Sequence, residues 1–96
     1  MASVWTHGAW SVRAGREDDF IAAWTELVPL GRSLGSGDPL LLRDRDHPTT
    51  FHSFGSWPDV QTVERFRAEL GPRIRELDGI LESFEAFTLD EAYPGD

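Results

Sequence analysis

The order in which two hydrophobic periodicities alternate limits most strongly how these 96 residues can fold. Apolar residues at every second position predict a strand, and apolar residues three or four apart predict a helix. The sequence predicts strand, helix, strand, strand, helix and strand. The predicted strands cover Val4–Val12, 40–44, Thr50–Trp57 and 84–93, and the predicted first helix covers 16–34.

The second helical region carries its own start and stop signals. Ser56 is the predicted helix cap, and Asp59 three residues later is expected to reach back toward it. Gly71 and Pro72 are predicted to stop this helix, because proline lacks the backbone N–H that continues a helical ladder. A short further helix is then predicted to run on through Leu81 before the last strand.

This order of elements predicts the fold class. It is the split-βαβ pattern of an α+β, ferredoxin-like βαββαβ sandwich, in which a four-stranded antiparallel sheet carries both helices on one face. A chain of this length folds as a single domain, which we expect over residues 1–96, with about two thirds of the extended chain's surface buried.

Large side chains lie on both sides of the first and third predicted strands. Trp10 and Trp5 lie on opposite sides of the first strand, and Trp57 and Phe54 lie on opposite sides of the third. A sheet with one face in water alternates more cleanly between apolar and polar residues. We therefore predict a homodimer in which the helix-free face buries Phe54 and at least one of Trp5 and His7 against a second copy.

Composition excludes several classes of function. Seventeen acidic and nine basic residues give a net charge of −8, which argues against a nucleic-acid partner. The chain has no cysteine, so disulfides, thiolate nucleophiles and iron–sulfur clusters are excluded, and it has no lysine for Schiff-base chemistry. We see neither a signal peptide nor a run of about 20 apolar residues. We expect a cytoplasmic protein with no membrane partner.

The sequence predicts neither a metal site nor a cofactor. The acidic and histidine side chains around the predicted hairpin turn, Asp44, Asp46, His47 and His52, lack recognised metal-ligand spacing. His47 itself is expected to lie in solvent, whereas His7 and His52 fall on the predicted dimer side of the sheet. No glycine-rich dinucleotide or phosphate loop is present.

Two long runs resemble the antibiotic biosynthesis monooxygenase domain. They are WSVRAGREDDFIAAW over 10–24 and LLLRDRDHPTTFHSFGSW over 40–57. The landmarks are a glycine and acidic residues where the first helix begins, and a hairpin ending in Phe-x-x-x-x-x-Trp. The resemblance covers nearly the whole chain. It implies a dimeric α/β barrel in which two sheets face each other, with a pocket in each subunit between the sheet and the helices.

The resemblance also implies site residues. Trp57 matches the family's tryptophan at the end of the third strand and is the predicted catalytic residue, its indole N–H donating to a substrate oxygen. The alternative is a core tryptophan that anchors the entry to the second helix. The predicted substrate-binding residues are Thr6, Trp10, Trp24, Phe51, Ser53 and Phe66. For Trp24 and Phe66, aromatics at helical spacing are more often core, and Arg67 is expected to face solvent.

The resemblance implies oxidation of a phenolic or anthrone-type polycyclic aromatic, or of a hydroquinone, by O₂ without a cofactor. Haem-degrading relatives pair the tryptophan with an asparagine on the first strand. Here that region reads Thr6-His7-Gly8, so haem degradation is not expected. Two alternatives stay open: a dimer that binds a small molecule without turnover, and a polyketide cyclase or isomerase that uses the same pocket.

Overall fold

Six elements follow one another along residues 4–94, the part of the chain that this computed structural model describes. Their order is the predicted one, and the bounds of the first and third strands are as predicted. The elements are β1 (Val4–Val12), α1 (Glu17–Ser33), β2 (Leu40–Arg43), β3 (Thr50–Trp57), α2 (Val60–Arg75) and β4 (Leu81–Asp90).

The strands form one antiparallel sheet in the order β2-β3-β1-β4, which confirms the predicted α+β, ferredoxin-like fold. β1 lies between β3 and β4, so its residues have partners on both sides. Trp10, for example, pairs with Phe51 of β3 and Phe84 of β4. Side chains at alternate positions therefore form continuous rows across the sheet.

The core lies between the helices and the face of the sheet that carries Trp10. Phe20 of α1 is fully buried, and its ring contacts those of Trp10 and Phe51 at centroid distances of 5.2 and 5.0 Å. Val12 and Leu81 complete this cluster. Burying each such side chain stabilises the fold by about 1.5–3 kcal/mol, so this cluster is what holds α1 on the sheet.

The second helix begins later than predicted. Ser56 pairs with Trp5 and belongs to β3, so the prediction that Ser56 caps the helix is wrong. Asp59 is the cap instead, and its Oδ1 accepts hydrogen bonds from the Thr62 backbone N–H at 2.8 Å and the Thr62 hydroxyl at 2.7 Å. These bonds, the hydroxyl's first, lower the pKa of the Asp59 carboxyl.

The predicted break at Gly71 and Pro72 is also wrong, because α2 runs through both residues to Arg75. Pro72 removes the bond to the carbonyl of Ala68, which lies at an exposed position where water can replace it. Val63 and Leu70 are buried on the same helix and hold it against the sheet.

The start of the last strand differs from its prediction as well. Leu81, predicted as helical, is the first residue of β4, where it is buried and pairs with Val12. The strand ends at Asp90 rather than at residue 93. Neither helix within residues 4–94 has the length and apolar character needed to cross a membrane.

The helix-free side of the sheet, here called the open face, is apolar and solvent-exposed. Its aliphatic and aromatic side chains include Leu40, Leu42, Phe87 and Leu89, which are 58%, 49%, 41% and 42% exposed. His7, Phe54 and Phe87 stack across β1, β3 and β4 on this face. The structure therefore leaves a broad apolar surface uncovered.

Candidate functional site

Two five-residue segments with the same pattern meet in the middle of the sheet. Residues 6–10 of β1 read Thr-His-Gly-Ala-Trp, and residues 53–57 of β3 read Ser-Phe-Gly-Ser-Trp. Because the strands are antiparallel, Thr6 pairs with Gly55 and Gly8 pairs with Ser53. Each hydroxyl therefore lies opposite a glycine, on the face that the helices cover.

The two indoles hold the two hydroxyls across this strand pair. Trp10 Nε1 donates to Ser53 Oγ at 2.9 Å, and Trp57 Nε1 donates to Thr6 Oγ1 at 2.9 Å. An indole has one N–H, which each bond uses up, whereas an accepting hydroxyl keeps its own proton to donate. The groups of this pair that can donate to a ligand are therefore the hydroxyls of Thr6 and Ser53.

Gly8 makes the first of these bonds possible. A Cβ at this position would lie 2.6 Å from Ser53 Oγ and 2.7 Å from Trp10 Nε1. Both distances are shorter than carbon can approach these atoms without displacing them. The absence of a side chain at Gly8 thus lets the Trp10 indole lie flat over its own strand and reach Ser53.

A small apolar cavity of about 60 Å³ lies between the sheet and both helices. Trp57 packs on its wall against Phe66, with ring centroids 4.8 Å apart. The lining residues include Trp10, Trp24, Leu27, Gly31, Trp57 and Leu70. This volume is far below the roughly 300–1,000 Å³ of pockets that hold drug-sized ligands, so a polycyclic molecule does not fit here.

A larger cleft of about 420 Å³ lies beside this cavity, between α2 and strands β1 and β4. Trp10 and Leu70 border both spaces. The other lining residues that matter for its chemistry are Thr6, Ser53, Arg67, Arg75 and Phe84. The cleft has the volume of a ligand site and contains both free hydroxyl donors.

The predicted site residues divide between these spaces. Trp24, Trp57 and Phe66 line the cavity, Thr6 and Ser53 line the cleft, and Trp10 lines both. Phe51 lies in the core, 2% exposed, beneath the Arg43 guanidinium and beside Phe20. It borders only a shallow depression that also contacts Trp24.

Arg67 does not face solvent as predicted. Its Nη1 donates to Thr88 Oγ1 on β4 at 2.6 Å, and its Nη2 is buried and has no hydrogen-bond partner. The signal for this placement was in the sequence: Val63, Arg67, Leu70 and Ile74 follow at helical spacing, so a cation stands within an apolar stripe.

A pair of histidines lies on the open face, opposite the cleft. His7 Nε2 and His52 Nδ1 are 2.9 Å apart, and the two rings stack. Burial lowers the pKa of His7, and the neighbouring His52 lowers it further, because both effects disfavour the charged ring. At neutral pH one ring nitrogen therefore donates to the other.

No group of three histidine, aspartate or glutamate side chains within residues 4–94 is arranged to hold a metal ion. The acidic and histidine residues of the hairpin turn do interact with one another. Asp44 Oδ1 lies 3.5 Å from His47 Nδ1 and accepts from the backbone N–H groups of Asp46 and His47. These backbone bonds, Asp46's first, lower the pKa of Asp44 and close the turn.

The sequence matches no protein-family model and no curated protein. Solved structures with the same fold are numerous. The cofactor-independent oxygenase SnoaB from Streptomyces nogalater, in a mutant form, matches with a TM-score of 0.80 and 19% identity over 94% of this chain and 93% of its own.

Two further structures are named as candidate antibiotic biosynthesis monooxygenases. The one from Bordetella bronchiseptica has a TM-score of 0.82 and 18% identity over 96% of this chain and 99% of its own. The one from Nitrosomonas europaea has a TM-score of 0.82 and 15% identity over 98% and 94%. The fold implied by the sequence resemblance is thereby confirmed, since identities this low carry the fold.

Proposed function

We propose that this protein is a monooxygenase that uses O₂ without a cofactor to oxidise a phenolic or anthrone-type polycyclic aromatic, or a hydroquinone. The observation that carries this proposal is the pair of indole-held hydroxyls, Thr6 and Ser53, on the wall of an aromatic-lined cleft of about 420 Å³. The named fold relatives include a cofactor-independent oxygenase, which supports the same reaction class.

For an anthrone the balanced reaction is R₂CH₂ + O₂ → R₂C=O + H₂O. The substrate loses a proton from its CH₂ group, and the resulting enolate passes one electron to O₂. The radical pair combines to a C–O bond, and the hydroperoxide then loses water to leave the quinone carbonyl. The protein orients the ring, stabilises the enolate oxygen and excludes water.

Thr6 and Ser53 are the residues we assign to the enolate oxygen. Each has a hydroxyl proton left to donate after accepting from an indole. Trp57, predicted as the catalytic donor, acts in this proposal through Thr6 as a positioning residue, because its N–H is already engaged. Trp10 and Phe84, whose rings lie 4.1 Å apart, form the aromatic floor.

The small cavity supports the use of O₂. Its lining is almost entirely apolar, so it offers water few hydrogen-bond partners and tends to stay dry. About 60 Å³ suffices for a diatomic gas, and Trp10 and Leu70 connect this space to the cleft. O₂ held there would lie next to a substrate in the cleft.

Oxygen uptake with anthrones and hydroquinones tests the proposal. Thr6→Val keeps the side-chain shape and removes the hydroxyl, and we expect a loss of roughly 10²–10³ in turnover, as for other oxyanion donors. Thr50→Val is the matched control, since it makes the same change on the open face of β3. Trp57→Phe should cost less than Thr6→Val, because it removes only the bond that holds Thr6.

The cofactor requirement is tested on metal-stripped protein, compared with protein supplied with iron, haem or flavin. Equal uptake in all samples is the expected result. Uptake that depends on an added cofactor would refute the mechanism.

One observation favours ligand binding without turnover as the second candidate. Within residues 4–94 no aspartate or glutamate borders the cleft, so no carboxylate base is at hand to remove the substrate proton. Tight binding of these aromatics with no oxygen uptake across the panel would establish that candidate. A change of substrate without O₂ consumption would instead indicate a cyclase or isomerase.

We further propose that a second copy of this chain covers the open face. Leu42 and Phe87 are 49% and 41% exposed there, and they adjoin the His7–Phe54 stack. Burying such an apolar surface is the usual driving force for homodimers. A dimer through this face would leave the cleft, on the opposite side of the sheet, open to its ligand.

A further inference from the structure

Arg67 is the one cleft residue, within the described part of the chain, with a buried donor left unused. Its Nη1 is held by Thr88, which orients the guanidinium plane, while its Nη2 is buried without an acceptor. Leaving a charged donor unsatisfied in a protein interior is costly, more so than for a neutral group. The group that completes Arg67 must therefore come from outside residues 4–94 or from a ligand.

The surrounding charges point to an anion. The chain carries 17 acidic residues against nine arginines, yet within residues 4–94 no carboxylate forms an ion pair with Arg67. Arg75, about two turns further along α2, borders the same cleft. Two guanidinium groups, with no carboxylate among the described residues that line the cleft, give it a positive potential inside an otherwise acidic protein.

The geometry of the cleft selects the kind of anion. The arginines lie on the α2 side, and the hydroxyls of Thr6 and Ser53 lie on the sheet side, with aromatic and aliphatic surface between them. A planar guanidinium matches the two oxygens of a carboxylate better than a single point charge does. A flat aromatic molecule with an anionic oxygen group at one end satisfies both sides together.

We propose that the cleft is a binding site for a carboxylated polycyclic aromatic, with the carboxylate on Arg67 Nη2 and the ring system over Trp10 and Phe84. This assignment rests on the proposed function for the ring system, and it adds the charged group by which the ligand is chosen. Thr88 is a positioning residue, because it holds the other guanidinium nitrogen.

The test uses two non-oxidisable probes of the same shape, anthraquinone-2-carboxylate and its neutral carboxamide, in calorimetric titrations. We expect wild-type protein to bind the carboxylate at least about ten-fold more tightly, as for a charge-assisted hydrogen bond. Added NaCl should weaken carboxylate binding and leave carboxamide binding nearly unchanged.

Arg67→Met should abolish this preference while changing carboxamide affinity by less than about three-fold. Arg65→Met is the matched control, since Arg65 is an exposed arginine on the same helix, and it should keep the full preference. Equal affinity of wild-type protein for the two probes would overturn the proposal, whether or not Arg67→Met folds. So would an unchanged preference in folded Arg67→Met protein.

The two proposals fail in different ways. A carboxylate preference that depends on Arg67, without oxygen uptake in any assay, would leave the anion site standing and remove the oxygenase. Oxygen uptake by a protein that binds both probes equally would do the reverse.

Discussion

The two faces of the sheet are built from similar residues and have opposite fates. The covered face holds Trp10 and Trp57 at 3% and 6% exposure, whereas the open face leaves Phe87 and Leu42 at 41% and 49%. Only the helices distinguish them. Hydrophobicity along a strand therefore identifies residues that need covering, but the identity of the cover comes from elsewhere in the chain.

The polar groups of the two faces differ in a second way. On the covered face each hydroxyl accepts from an indole and keeps a proton for a ligand, as Thr6 does with Trp57. On the open face His7 and His52 bond to each other and stack on phenylalanines, which leaves little to offer a ligand. The covered face is therefore suited to chemistry and the open face to association.

The largest expected effect separates the open face from other exposed apolar surface. Phe87→Glu places a charge in the proposed interface, and we expect the particle mass to fall from twice 10.8 kDa to 10.8 kDa by light scattering. Val60→Glu is the control, because Val60 is equally exposed, at 43%, but lies on α2. It should leave the dimer intact.

Wild-type protein that is monomeric in dilute solution would contradict the proposed role of the open face. Dissociation by both substitutions would show that the interface is not confined to it.

A middle-sized effect tests the close packing of the covered face. Gly8→Ala drives a methyl group against Ser53 Oγ and Trp10 Nε1, and we expect a loss of about 1–3 kcal/mol in the free energy of unfolding, as for other overpacked sites. Gly79→Ala is the control, because a Cβ there meets no atom within 4 Å. Equal thermal stability of the two variants would show that the Trp10–Ser53 contact is easily displaced.

The smallest effect is the pH dependence of the open face. The pKa of His7 is lowered from its usual 6.5, so the unfolded chain binds a proton more readily than the native protein. Stability should therefore be constant above about pH 6.5 and fall as the pH drops below it. Doubly protonated rings would also lose their mutual hydrogen bond. Glu85 borders the pair from β4, across Ala9, and moderates this loss.

Urea midpoints at pH 8 and pH 5.5 measure this effect. His7→Phe continues the stack with Phe54 and should remove most of the decline on acidification. His47→Gln, at an exposed turn position, should retain it. An identical decline in all three proteins would place the titrating group elsewhere.

Much of the fold could be predicted from local pattern. Strand alternation bounded by turn residues located β1 and β3 to the residue. The errors lie where a distant contact overrode a local signal. Strand pairing with Trp5 kept Ser56 out of the helix, and packing through Leu70 carried α2 across Gly71 and Pro72.

The candidate site was predictable in part. Parity placed Thr6, Trp10 and Ser53 on one face, and the register confirms that they share it. The recurrence of hydroxyl, glycine and tryptophan at the same spacing in β1 and β3 was the missed signal for the two indole–hydroxyl bonds. Arg67 was misjudged, because its neighbours in sequence do not reveal that Thr88 lies beside it.

The sequence by itself determined the order of the elements, the two faces of each strand and the acidic, cysteine-free character of the chain, because these depend only on neighbouring residues and composition. The tertiary structure alone decided which face the helices cover, that Trp57 spends its N–H on Thr6, and that Arg67 keeps a buried nitrogen without a partner among residues 4–94. Those outcomes depend on contacts between segments about 20 to 50 residues apart, and no local periodicity encodes such distances.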